Sequence, residues 1–147
     1  MSTILVIANE TVESPILHEA IRATAAGADG VEVVIVAPAL NSRARHWVSD
    51  EDDARRRAKV RLERCLASLT AVGIEAHGWI GDADPLQAIG DALHLASVRQ
   101  IVIATHPEGR SNWLARRLVP RARRRFTIPI LHVVVDQASG EEYLQAA

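Results

Sequence analysis

Residues 105–112, Thr-His-Pro-Glu-Gly-Arg-Ser-Asn, gather the groups in this chain best suited to an anion. They follow the apolar run Ile101–Ala104, and the segment from Arg110 to Arg125 holds seven arginines and no acid. Gly109 lets the backbone turn and approach a ligand closely. Ser111 or Asn112 can cap a following helix, whose free N–H groups attract negative charge. Arg110 can add a charge-assisted contact to phosphate. His106, beside Pro107, could hydrogen-bond a ligand or act as acid or base. No nucleophile, paired carboxylate or Gly-x-Ser-x-Gly elbow accompanies it, so no catalytic set is found and an enzyme is not expected. Many loops of this composition hold nothing, and spacing alone leaves both readings open.

The other chemistry-bearing residues are dispersed. Six histidines (His18, His46, His77, His94, His106 and His132) show no His-Glu-x-x-His or Cys/His spacing, and no metal site is expected. Cys65 is the one cysteine, so no internal disulfide is available. Arg43, Arg45, His46 and Trp47 crowd the stretch 38–49, which could fold over a ligand or be pinned by Trp47 with its arginines in solvent. Seventeen basic against eighteen acidic residues leave a net charge of −1, which argues against a nucleic-acid binder. Arg116, Arg117, Arg121, Arg123, Arg124 and Arg125 spread around a helix without interleaved aromatics, as a solvated face does. The first residues lack a basic region and a long apolar run, and nothing approaches the roughly 18 apolar residues of a membrane span. A cytoplasmic protein without membrane partners is expected.

The elements that must position these groups follow from patterning. Thr3–Ala8 and Val31–Ala37 are continuous β-branched and apolar runs, as expected for strands buried on both faces. Ile74–Ile80, Ile101–Ala104 and Ile130–Val135 supply three more. Ser14-Pro15 and Asp84-Pro85 each pair a cap with proline at the first helical position. A third helix runs from the Ser49 cap to Gly73, burying Ala54, Ala58, Leu62, Cys65, Leu66 and Leu69. A fourth is expected from about Asn112 to Phe126, bent at Pro120. Strand and helix alternate throughout. The chain therefore reads as a single doubly wound, Rossmann-like α/β domain over residues 1–136, with a polar, loosely ordered tail over 137–147.

Ligands of open parallel sheets sit beyond the carboxyl ends of the strands, where the strand order reverses. If the five-stranded parallel sheet has the order 3-2-1-4-5, that point lies between the first and fourth strands. Asn9 then stands beside the 105–112 loop.

Several stretches resemble the universal stress protein family: Gly81–Ile89 (GDADPLQAI), IVIAT, Gly109–Leu118 (GRSNWLARRL), Ile128–Val135 with its proline, and the opening TILVIAN. The resemblance is concentrated in 81–135, and the order of elements agrees from about 3 to 135. It implies the family's fold, akin to the adenine nucleotide alpha hydrolases, and a regulatory domain binding an adenine nucleotide or similar small anionic metabolite. ATP, AMP or a cyclic nucleotide would be the ligand. Asn9 stands where the family places an acid, and the second-strand backbone facing adenine corresponds to about Val36 or Ala37. The family's Gly-x-x-Gly, nine residues, Gly-Ser/Thr pattern is only partly present. Ala104 or Thr105 occupies the first glycine position, and Gly109 fits the second if the loop is longer by a residue or two. Arg116-Arg117 or Val119-Pro120 stands at the last pair. Those glycines admit phosphate to the backbone, so their loss argues against the standard ATP mode. The candidate ligand residues are thus Asn9, Val36, Ala37, Thr105, His106, Gly109, Arg110, Ser111 and Asn112. The family also implies a homodimer through the last strand, ILHVVVD. A ligand-free dimeric scaffold acting through an unknown protein partner is the alternative, and a weak nucleotide hydrolase ranks below both.

Overall fold

The computed structural model describes residues 2–8, 12, 14–26, 30–38, 48–82, 84–106, 117–136 and 141–145. Its strands are β1 (Ser2–Ile7), β2 (Val31–Pro38), β3 (Ala76–Gly81), β4 (Val98–Thr105), β5 (Ile130–Asp136) and β6 (Glu141–Gln145). The helices are α1 (Pro15–Ala25), α2 (Val48–Ala71), α3 (Pro85–Leu95) and α4 (Leu118–Arg125). One sheet runs in the order β3-β2-β1-β4-β5-β6. Its first five members are parallel, in the 3-2-1-4-5 order taken above.

Alternation along the strands builds two cores. Ile4, Val6, Val33, Ile35, Val102 and Val133 face α1 and α2, meeting Leu17, Ile21, Leu62, Cys65 and Leu69. Leu5, Ile7, Val34, Val36, Ile101 and Ile103 face α3 and α4, meeting Leu86, Ile89, Leu118 and Ala122. Both faces are covered, which is why the strands read as unbroken apolar runs rather than alternating ones. The caps form as the sequence suggests. The Ser14 hydroxyl accepts from the Leu17 N–H at 3.2 Å, and Asp84 accepts from the Leu86 N–H at 3.0 Å.

Two expectations are corrected. The tail, expected to be loosely ordered, contains a strand, Glu141–Gln145, that pairs antiparallel with β5. The β5 edge presents unpaired N–H and C=O groups, and a short polar segment returning along it satisfies them. The last strand of the parallel set is consequently an interior strand, and its outer edge is taken by β6. The second correction concerns Pro120. Helix α4 starts at Leu118 after a left-handed Arg117, so Pro120 falls in its first turn, where its missing N–H has no helical partner to lose. Residues 112–116 of the expected helix lie outside the described residues.

Candidate functional site at the carboxyl edge of the sheet

Strand order fixes the site's position. β1 lies between β2 and β4. The chain leaves β1 for β2 through α1 on one face, and leaves β4 for β5 through α4 on the other. The connections therefore diverge at the carboxyl ends of β1 and β4 and open a crevice there, the switch point of a doubly wound sheet.

Four of the candidate residues are described, and all four lie at or just beyond strand ends on this edge. Val36 and Ala37 precede Pro38, the last residue of β2, and are buried. The Val36 carbonyl accepts from the Ala8 N–H at 3.3 Å, so that oxygen already holds the end of β1 to β2. Thr105 closes β4 and is 2% exposed, and His106 follows it, partly buried. Asn9, Gly109, Arg110, Ser111 and Asn112 lie outside the described residues, as does the 39–47 stretch with Trp47.

The Thr105 side chain is committed. Its Oγ1 lies 2.8 Å from Nε2 of His132, which is itself 4% exposed. Ile103 is opposite His132 in the β4–β5 register, so this bond ties the end of β4 to the middle of β5. Motif spacing, which treats His132 only as one of six dispersed histidines, does not reveal the pair. The available signal was an imidazole inside an apolar strand, since a buried polar ring needs a hydrogen-bond partner.

Beyond the loop, Arg117 precedes α4 at φ 57°, and it is the one non-glycine residue in the left-handed region among those described. An arginine gives no sequence sign of such a conformation, which costs of order 1 kcal/mol or more and recurs at ligand sites and switches. The first turn of α4 offers the N–H groups of Leu118 and Val119, whereas Pro120 has none. Arg123, Arg124 and Arg125 crowd its last turn, where positive charge suits the helix dipole. The carboxyl edge thus has a helix start preceded by Arg117, but one backbone donor fewer than a standard first turn, while Arg123 at the far end of α4 reaches the Ile130 carbonyl at the amino end of β5.

No protein-family profile matches the chain, and no curated protein sequence matches it. Solved structures do. A universal stress protein from Archaeoglobus fulgidus superposes with a TM-score of 0.62 at 20% identity, covering 90% of this chain and 93% of that one. A protein of the universal stress protein family from Burkholderia pseudomallei gives 0.63 at 18% identity, over 89% and 94%. A universal stress protein family protein from Arabidopsis thaliana with AMP bound gives 0.54 at 12% identity, over 95% and 94%. The class is thus a doubly wound α/β domain with its switch point between β1 and β4. More particularly, the chain has the fold of the universal stress proteins.

Proposed function

We propose that this chain is a universal stress protein-like regulatory domain of the cytoplasm that binds an adenine nucleotide at the crevice between β1 and β4. The observation that carries the reading is the topological switch point at that edge, in a fold that one similar structure holds with AMP bound. Asn9 and the end of β2 would meet the base, with Thr105 and His106 at the floor. Gly109, Arg110, Ser111 and Asn112 would hold the phosphate. With the family's glycines replaced, a monophosphate or cyclic nucleotide gripped by Arg110 fits better than a triphosphate laid along the backbone.

Thermal unfolding with ATP, AMP, cyclic AMP and phosphate tests this. A ligand at about 100 times its dissociation constant adds roughly 2.7 kcal/mol of stability, and AMP is expected to do so. In the Arg110→Ala variant that gain should shrink. No response to any of the four would favour the ligand-free scaffold. Incubation with ATP and magnesium addresses the hydrolase reading, and product no faster than in a blank removes it. Homodimerisation at the β5–β6 end of the sheet belongs to the same proposal. It would use the outer edge of β6 or displace β6 from β5, and light scattering at micromolar concentration should give twice the chain mass.

A further inference from the structure

The amino edge of the sheet, opposite the nucleotide crevice, carries a second group of chemistry-bearing side chains: Glu32, Glu75 and His77. Strand register puts them together. Thr3 of β1 is opposite Glu32 of β2, and Val34 of β2 is opposite His77 of β3. Val33 pairs with Ala76 and donates its N–H to the Glu75 carbonyl at 3.0 Å, so Glu75 lies across from Glu32. Alternate residues share a face of a strand, and the three side chains therefore project to one face.

Their donor atoms converge. His77 Nε2 lies 3.5 Å from Glu75 Oε1 and 3.9 Å from Glu32 Oε2. All three ligand atoms fall within 4.8 Å of one another. Ligands at about 2.0–2.2 Å from a tetrahedral zinc ion stand roughly 3.3–3.6 Å apart, so small side-chain movements would close the set. Thr3 Oγ1 donates to Glu32 Oε1 at 3.1 Å, occupying one carboxylate oxygen and leaving Oε2 toward His77. The backbone also imposes a cost, because like charges directly opposite on neighbouring strands repel. A cation between Glu32 and Glu75 offsets that repulsion.

We propose that Glu32, Glu75 and His77 bind a divalent ion of the zinc class, with water completing its shell. Imidazole with carboxylates suits zinc, whereas magnesium and calcium take oxygen donors. Glu75 and His77 are 61% and 60% exposed, as befits an exchangeable ion rather than a buried structural one. Bound there, it clamps β3, the outer strand, to β2. Motif spacing cannot find such a site, since its ligands come from two strands.

Calorimetry of the metal-stripped chain tests the proposal, with zinc chloride as titrant and magnesium chloride as the comparison. One equivalent of zinc should bind, more tightly than magnesium. His77→Ala and Glu75→Gln should each weaken zinc by about tenfold or more, since even losing a partner of a metal ligand costs 10–100-fold. Both side chains are exposed, so both variants should keep the circular dichroism spectrum of the parent. His94→Ala, an exposed histidine on α3, should leave zinc binding unchanged. Absence of a one-equivalent event, equal affinity for magnesium, or unaltered binding in His77→Ala overturns the assignment. The AMP response is read separately, at the other edge.

Discussion

The two edges of this sheet are built on opposite principles. At the carboxyl edge the strand ends are sealed: Ala8, Val36, Ala37, Thr105 and the Ser14 cap are each at most 2% exposed. Polar groups there, such as Thr105 and His132, are paired with each other out of reach of water. At the amino edge Glu32, Glu75 and His77 meet solvent, and two like charges face each other across neighbouring strands. A sealed edge has its described polar side chains already paired. An open edge keeps donor atoms available on the strands themselves. Substitutions at the two edges should therefore move stability in opposite directions.

The largest effect is expected from Thr105→Val. The substitution keeps the branched shape but removes the hydroxyl from His132, leaving Nε2 without that bond inside the core. A buried group that loses its partner costs about 1–3 kcal/mol, to be read as a lower denaturation midpoint with an unchanged slope. A midpoint equal to the parent's would mean that water reaches the pair and that this edge is not sealed. Next is Ser14→Ala, at the start of α1 just beyond β1. Loss of a capping hydroxyl costs about 1 kcal/mol, and here the cap is also buried. A loss below a few tenths of a kcal/mol would show that the Leu17 N–H finds another acceptor.

The same contrast explains what could be read from sequence. Runs such as TILVIA and VEVVIVA read as buried strands because they are short and rich in β-branched residues. Ser14-Pro15 and Asp84-Pro85 specify their helix starts by local chemistry alone. The alternation of elements was legible for that reason, whereas the strand order that brings β1 beside β4 was taken as a condition and is supplied by the sheet itself. Strand β6 was not, since EEYLQ is too polar to announce a strand and forms one only because β5 leaves an edge to cover. The Thr105–His132 bond and the Glu32–Glu75–His77 group were hidden for a related reason. Each joins residues on different strands, and register, not spacing, brings them together.

The smallest effect carries the comparison furthest. In the metal-free chain, Glu75→Gln should stabilise, by about a few tenths of a kcal/mol, because it removes one of two like charges facing each other across β2 and β3. Solvent at this edge screens the repulsion, which keeps the gain small. The opposing contact is with His77, whose Nε2 lies 3.5 Å from Glu75 Oε1. The gain is expected where the repulsion exceeds that contact. Added salt should reduce it. Denaturation at pH 8 with low and high sodium chloride separates these cases. A loss of stability at pH 8 would mean that Glu75 is held by a favourable contact, and that the amino edge is not the self-repelling surface its register implies.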